Sequence, residues 1–250
     1  MTILITGATS GFGKAIALKF ASEGHRCIIT GRREDKLRQV ADAIMQKGAE
    51  VLPLFFDVQN RKSVENAIGG LEEQWQDIDV LVNNAGLALG RDSFENANID
   101  DWDTMIDTNV KGLLYMSKAV LPYFIKYKKG HIINIGSTAG KEVYKEGNVY
   151  CASKFAVNAI SEAQRIDLLP HGIKVTCINP GAADTEFSSV RFKGDEQKAA
   201  AVYEGYQPLK AEDIADVIYY CSTLPKHVCI NDLVITSLAQ ANSFYTFKQG

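Results

Sequence analysis

The chain opens on Thr2-Ile3-Leu4-Ile5-Thr6-Gly7-Ala8-Thr9-Ser10-Gly11-Phe12-Gly13, and this stretch decides the fold. Residues 2–6 are apolar and largely β-branched, which is typical of a buried strand. Residues 14–21 then read as a helix. Glycines between a strand and a helix permit a tight turn, and the helix N-terminus attracts a pyrophosphate. The unit indicates dinucleotide binding, although the spacing G-x3-G-x-G alone also fits a turn that binds nothing.

Strand-like and helix-like segments alternate along the rest of the chain. About seven strands are predicted, with a helix over 61–75 and a long helical stretch near 101–127. Right-handed crossovers then give an α/β fold, a Rossmann-type doubly wound parallel sheet with helices on both faces. No linker, repeat or low-complexity tract divides the 250 residues, so we expect one domain over 1–250.

Two further predicted strands end in small polar residues. Asp79-Val80-Leu81-Val82 runs into Asn83-Asn84-Ala85-Gly86, and His131-Ile132-Ile133-Asn134-Ile135 runs into Gly136-Ser137. Because the carboxyl ends of parallel strands form the ligand crevice, these amides and the serine hydroxyl are predicted to meet there. Taken alone, the first segment also fits an ordinary turn rich in Asn and Gly.

Tyr150-Cys151-Ala152-Ser153-Lys154 places a phenol and an ammonium four residues apart. On a helix both side chains lie on one face, although such a pair is usually mere helix surface. A nearby cation favours the phenolate, so we expect Lys154 to lower the pKa of Tyr150 from its ordinary value of about 10. The pair then predicts a tyrosine that exchanges protons with a substrate.

With these motifs the chain resembles the classical short-chain dehydrogenase/reductase family over essentially its full length. Residues 6–13 match the family's glycine motif, and 83–86 match its Asn-Asn-Ala-Gly motif. The resemblance places four residues on the family's catalytic positions: Asn109, Ser137, Tyr150 and Lys154. It implies that Tyr150 is the acid or base, Ser137 holds the substrate oxygen, Lys154 holds the nicotinamide ribose, and Asn109 anchors a water that links Lys154 to solvent.

The resemblance is closer to one subgroup, the NADP-dependent 3-hydroxy acid dehydrogenases that act on serine and allo-threonine. Residues 179–181, 185–195 and 222–231 carry this likeness. Where many relatives have Val-Asp-Gly-Gly near the carboxyl terminus, this chain has Asp232-Leu233-Val234-Ile235-Thr236-Ser237. The subgroup implies an oxidoreductase for serine, allo-threonine, 3-hydroxypropionate or the matching 3-oxo acids. Two alternatives stay open: a carbonyl reductase for uncharged ketones, sugars or acyl thioesters, and a non-catalytic nucleotide-binding scaffold.

The second strand ends in Gly31-Arg32-Arg33, where an NAD enzyme generally has an acidic residue that binds the ribose 2′-hydroxyl. Arginine suits a 2′-phosphate, so NADP(H) is the predicted cofactor. Glu34 and Asp35 are the contrary observation, although acidic residues are common in the first turn of a helix. The resemblance completes the predicted cofactor set, which comprises Gly7, Thr9, Ser10, Gly11, Phe12, Gly13, Arg32, Arg33, Asp57, Val58, Asn83, Ala85, Gly86, Tyr150, Lys154, Pro180, Gly181 and Thr185.

Residues 181–205 form an irregular, polar stretch, and the matching segment of the family closes over substrate and cofactor. A lid that excludes water is expected here, with a plain surface insertion as the alternative. Arg191 lies in it and is the candidate partner for a substrate carboxylate, beside Ser137 and Tyr150 as the other substrate residues. The roles of Glu142 and Tyr144 stay open.

Composition excludes several classes. The net charge of −3 gives no basic surface for nucleic acid, and the apolar runs are far shorter than the ~20 residues of a membrane span. Five cysteines without C-x-x-C spacing and four scattered histidines suggest neither disulfides nor a metal site. The amino terminus enters a strand at once, so we expect no signal peptide. Together with the reduced cysteines, this predicts a cytoplasmic location. The family implies a homotetramer, to which the aromatic tail 237–250 could contribute.

Overall fold

The computed structural model describes residues 1–248, so the last two residues of the predicted tail 237–250 lie outside the described part. Seven strands form one parallel sheet in the order β3-β2-β1-β4-β5-β6-β7. Their bounds are β1 Thr2–Ile5, β2 Arg26–Gly31, β3 Val51–Phe55, β4 Val80–Asn83, β5 His131–Ile135, β6 Lys174–Pro180 and β7 Asp232–Ile235. The predicted doubly wound α/β sheet is confirmed.

Helices cover both faces of the sheet, because each strand alternates its apolar side chains between two cores. Ile3 and Ile5 of β1 pack on one side, with residues of α1, α2 and α10, and Leu4 packs on the other side, with residues of α3 and α6. The helices are α1 Gly11–Ser22, α2 Glu34–Gln46, α3 Arg61–Gly69, α4 Glu73–Gln76, α5 Ile99–Ile106, α6 Leu113–Tyr127, α7 Asn148–Leu168, α8 Glu186–Arg191, α9 Glu196–Ala201 and α10 Ala211–Thr223.

Two sequence-based expectations about helices need correction. The helix predicted over 61–75 is broken, because α3 ends at Gly69 and Gly70 caps it, so that only the short α4 follows. Glycine lowers helix stability by about 1 kcal/mol relative to alanine, and two in succession favour a break. The stretch 181–205, expected to be irregular, contains the two short helices α8 and α9.

All five cysteines are free thiols. Within residues 1–248, no group of three or more His, Cys, Asp or Glu side chains could hold a metal ion. The helices of this same part include none with the length and apolar character needed to cross a membrane.

Candidate active site

A cleft of about 300 Å³ lies at the carboxyl ends of the central strands. The turn after β1 forms its floor, and two of its glycines are required by geometry. Gly7 has a φ of +67°, and a side chain there would come within 2.9 Å of the Ala85 Cα. A side chain on Gly13 would collide with the Asn84 amide at 2.5 Å. The turn therefore packs directly against the end of β4, which leaves room above it for a ligand.

Of the two asparagines at the end of β4, one lies in the core and the other lines the cleft. Asn83 is buried, and its amide donates to Ser117 Oγ and Asn134 Oδ1 at 2.9 Å each. Asn84 lines the cleft, and its amide donates to the Thr6 carbonyl at 2.8 Å. Asn83 was predicted to contact the cofactor, but the structure turns it into the core, because the two residues point to opposite faces at the strand end.

The rest of the predicted cofactor set lines this cleft, with the exception of Gly13, whose part is to let the turn pack. Several lining residues were absent from the sequence-based set. They are Thr30, Gly31, Phe56, Asn84, Leu87, Thr108, Ile135, Gly136, Ala183, Glu186, Phe187 and Val190, with Ser137 shared with the substrate set. Eight of these twelve lie next to a predicted site residue, so a window of one residue around each predicted position would have found them. Such a window would still miss Thr30, Ile135, Ala183 and Phe187.

Asn109 lies in a π-helical segment, Asp107–Gly112, between α5 and α6. Such segments in long helices are frequent at functional sites because they redirect a side chain. The side-chain oxygen Oδ1 of Asn109 accepts from the Leu87 N–H at 2.8 Å, and the side-chain NH2 group donates to the Leu87 carbonyl at 2.8 Å and to Ser153 Oγ at 3.0 Å. The side chain thus ties the loop after β4 to α7, and its amide is fully occupied by these bonds.

Ser137, Tyr150 and Lys154 all line the cleft. Ser137 follows β5, and Tyr150 and Lys154 lie one turn apart on α7, so strand end and helix meet as predicted. Lys154 is buried, and its ammonium donates to the Ile135 carbonyl at 2.8 Å and lies 6.0 Å from the centre of the Tyr150 ring. Burial lowers the pKa of Lys154 to about 8.

The pKa of Tyr150 departs from the sequence-based expectation. Burial raises it above its ordinary value and Tyr144 adds to this, whereas a hydrogen bond with Ser137 and the charge of Arg191 lower it. The prediction that a cation lowers the pKa is therefore wrong for the protein side chains alone, because the loss of hydration outweighs the nearby charge. Arg191, rather than Lys154, is the cation that acts on the phenol here.

Comparison with known proteins agrees with this arrangement. Residues 1–196 match the sequence profile of the family described as short chain dehydrogenase. The chain belongs to the short-chain dehydrogenase family. An NADP-dependent 3-hydroxy acid dehydrogenase, YdfG, from Salmonella typhi is 49% identical over 242 residues, which cover 96% of each chain. Sulfoacetaldehyde reductase 2 from Chromohalobacter salexigens is 44% identical and covers 97% of this chain and 96% of its own. The closed form of a serine dehydrogenase complexed with NADP+ superposes with a TM-score of 0.93 at 45% identity and covers 100% of both chains.

In this short-chain dehydrogenase the two arginines after β2 are held differently. Arg33 donates to Thr9 Oγ1 at 2.7 Å and to Ser10 Oγ at 2.7 Å, both in the glycine turn. Arg32 makes one looser contact with Asp57, at 3.3 Å, and its side chain is 60% exposed. Arg33 therefore makes more and shorter hydrogen bonds than Arg32 at this end of the cleft.

A second cavity of about 190 Å³ opens beside Ser137 and Tyr150. Arg191 of α8 lines it, with its guanidinium 5.5 Å from the centre of the Tyr150 ring. Arg191 donates to the Tyr144 hydroxyl at 3.0 Å and to the Gly90 carbonyl at 3.4 Å. The predicted substrate residues Ser137, Tyr150 and Arg191 thus meet at one cavity. Tyr144 belongs to it too, whereas Glu142 accepts a hydrogen bond from the backbone N–H of Ser243 in the tail.

Proposed function

We propose that this short-chain dehydrogenase is an NADP(H)-dependent oxidoreductase that interconverts a small 3-hydroxy acid, such as serine, allo-threonine or 3-hydroxypropionate, and the corresponding 3-oxo acid. The observation that carries the proposal is the position of Arg191 in the same cavity as Ser137 and Tyr150. If this guanidinium binds the carboxylate of a 3-hydroxy acid, the carbon that carries the substrate's hydroxyl group would lie near the Tyr150 phenol. Two of the relatives named above are an NADP-dependent 3-hydroxy acid dehydrogenase and a serine dehydrogenase complexed with NADP+, in line with this assignment.

The donor set around the cleft fits NADP(H). The glycine turn and the N-terminus of α1 suit a pyrophosphate, and Arg33, Thr9 and Ser10 together suit a 2′-phosphate. Arg33 Nη1, which does not contact Thr9 or Ser10, donates to the Glu186 carboxylate at 2.8 Å, so this nitrogen can bind an anion. Arg32 and Asp57 would flank the adenosine. When bound, the cofactor accepts or delivers a hydride at its nicotinamide ring.

In the proposed mechanism Tyr150 takes the hydroxyl proton during oxidation and returns it during reduction. Ser137, which lines the same cavity as the phenol, would hold the substrate oxygen and stabilise the charge that develops on it. Lys154 would hold the nicotinamide ribose and pass protons onward. Because the Asn109 amide is occupied, its backbone carbonyl is the group we assign to the water between Lys154 and solvent.

The stretch 181–205 would act as a lid within a single catalytic domain over 1–250. Backbone bonds join it to the opposite rim, since the Gly90 N–H donates to the Arg191 carbonyl at 3.0 Å. Lys193 adds an ion pair with Asp101 at 2.8 Å. Arg191 itself lines the substrate cavity, so closure of this stretch would exclude water from the reacting carbon.

A homotetramer is the proposed assembly. One exposed apolar face lies on α6 and α7, where Leu114, Phe155 and Ile166 are 42%, 42% and 74% exposed. A second lies at the sheet edge, where Tyr220 of α10 and Val234 of β7 are 59% and 52% exposed. Two separate apolar faces on one chain suit a tetramer with two kinds of two-fold interface. Light scattering after size-exclusion chromatography tests this: Ile166→Glu should give a dimer, and a monomeric wild type would contradict the proposal.

The function is tested by initial rates of NADP+ reduction with serine, allo-threonine and 3-hydroxypropionate, beside secondary alcohols and sugars, each repeated with NAD+. We expect rates with NADP+ that are confined to the 3-hydroxy acids. Activity only on uncharged alcohols would discard the substrate class and keep the catalytic residues. A 2-hydroxy sulfonate belongs in the same panel, because Arg191 would suit a sulfonate and one relative is a sulfoacetaldehyde reductase.

A further inference from the structure

The carboxylate of Glu186 lies between two cations of a distant segment. Glu186 is the first residue of α8, at the start of the stretch 181–205. One of its oxygens accepts from Arg33 Nη1 at 2.8 Å and the other from Lys36 Nζ at 2.7 Å. The two cations stand at the beginning of α2, about 150 positions earlier in the chain. These two bonds connect the lid to the nucleotide end of the cleft.

The groups around this carboxylate match those that a phosphate monoester requires. Arg33 donates from Nε and Nη2 to the hydroxyls of Thr9 and Ser10, and its Nη1 donates to Glu186. Lys36 contributes a second positive charge, and the Ser10 hydroxyl, which accepts from Arg33, lies close enough to lower the pKa of the carboxylate. Lys36, Arg33 and Ser10 hold the pKa of Glu186 at about 2, so the group is an anion at any working pH. Two cations and a hydroxyl therefore surround one fixed negative charge.

We infer that Glu186 is an internal anion that occupies the place of the cofactor's 2′-phosphate, and that Lys36 is a further ligand for that phosphate. This inference rests on the proposed NADP(H) dependence. Arg33 Nη1 and the Lys36 ammonium would bind the 2′-phosphate instead of the carboxylate, and the first turn of α8 would lose its bonds to the start of α2. Cofactor selection and the mobility of the lid would then be one event, with Glu186 as the residue that links them.

Removal of Glu186 should change the affinity for a 2′-phosphate in opposite directions, depending on whether Glu186 competes with the phosphate or only supports Arg33. If Glu186 only oriented Arg33, its removal would weaken ligands that carry a 2′-phosphate. If Glu186 competes with the phosphate for the same donors, its removal should increase the affinity for these ligands. Exposed ion pairs contribute up to about 1 kcal/mol each, so we expect a change of about fivefold for Glu186→Gln.

The test compares adenosine 2′,5′-bisphosphate with adenosine 5′-monophosphate by isothermal titration calorimetry, because the two ligands differ only in the 2′-phosphate. Glu186→Gln should bind the bisphosphate about fivefold more tightly and Lys36→Met about fivefold more weakly, with the monophosphate unchanged in both. The matched control is Glu196→Gln, since Glu196 lies in the same stretch but bonds to Ser189 instead. It should change neither affinity.

The outcomes separate the two proposals. A wild type that does not prefer the bisphosphate would overturn the NADP(H) proposal itself and the inference with it. A wild type that prefers it, with Glu186→Gln binding it equally or more weakly, would overturn the inference alone. A second readout is amide hydrogen exchange of 186–191. The bisphosphate should speed this exchange in the wild type to the level of free Glu186→Gln, and an unchanged rate would also contradict the inference.

Discussion

The nucleotide end and the substrate end of the cleft are built in different ways. The nucleotide end comes from contiguous motifs at strand ends, where Gly7, Gly13 and Asn84 fix the backbone with little help from elsewhere. The substrate end is assembled from the loop after β4, the loop after β5 and α8, and Arg191 bridges all three. The first region is built from motifs that can each be recognised at one strand end, whereas the second depends on how separate loops and α8 come together. Replacements at the nucleotide end should therefore change cofactor binding, and replacements at the substrate end should change substrate discrimination.

The largest expected effect is at the junction of the two regions. Tyr150→Phe removes the hydroxyl that exchanges the proton and keeps the ring that packs near Phe187. Turnover should fall by about 10³-fold or more, in the range of general acid–base catalysis, while NADPH binding stays within about twofold. Initial rates and a fluorescence titration with NADPH measure the two quantities.

The matched control is Tyr127→Phe, because Tyr127 is the last residue of α6 and lines neither cavity. It should retain full activity. A Tyr150→Phe enzyme that kept more than a few per cent of the wild-type rate would remove the proton transfer from this residue, and with it the idea that one side chain serves both ends of the cleft.

Arg191→Met tests the substrate end. Loss of a charge-assisted partner for the carboxylate should lower kcat/KM for 3-hydroxy acids by about 100-fold, while an uncharged secondary alcohol changes by less than about threefold. The NADP+ affinity should not change. Lys198→Met is the control, because this cation lies in the same stretch with its side chain 70% exposed and paired to Asp195. Equal losses on acids and alcohols would mean that Arg191 shapes the pocket instead of binding the anion.

Arg33→Met and Arg32→Met test the nucleotide end and should differ from each other. Arg33 is anchored on the glycine turn, so its loss should weaken NADP+ about 30-fold relative to NAD+, whereas the loosely held Arg32 should cost about fivefold. Neither should change the KM for the acid at saturating cofactor. The two dissociation constants, measured for both cofactors, decide this, and a larger effect at Arg32 would reverse the ranking.

The same division explains how far the sequence could predict the molecule. The sheet and the cluster of Ser137, Tyr150 and Lys154 follow from local patterns, because strand ends in a parallel sheet share one edge. The direction of Asn83 could not be predicted, since neighbouring amides at a strand end are equivalent in sequence. The bond between Arg33 and Glu186 depends on how α8 docks across 153 residues of separation, and no local pattern encodes that contact.

The smallest effect concerns stability at the centre of the site. Lys154 is a buried ammonium whose pKa falls from 10.5 to about 8, so folding a charged lysine here is unfavourable. A shift of this size corresponds to about 3 kcal/mol, and the lost hydrogen bond to the Ile135 carbonyl offsets part of it. Lys154→Met should therefore be inactive yet about 1 to 2 kcal/mol more stable than the wild type at pH 7.

The pH dependence of the stability gain shows whether the buried charge of Lys154 causes it. Between about 8 and 10.5 the folded wild type binds fewer protons at Lys154 than the unfolded chain, so its stability rises with pH over this window. The advantage of Lys154→Met should be full below pH 8 and shrink by pH 9.5, as measured by urea unfolding at one protein concentration. Lys118→Met, at an exposed lysine of α6, should differ from the wild type by the same small amount at both pH values. An advantage of Lys154→Met that did not shrink would have to come from packing, whereas a destabilised variant would show that the site holds this charge at no cost to the fold.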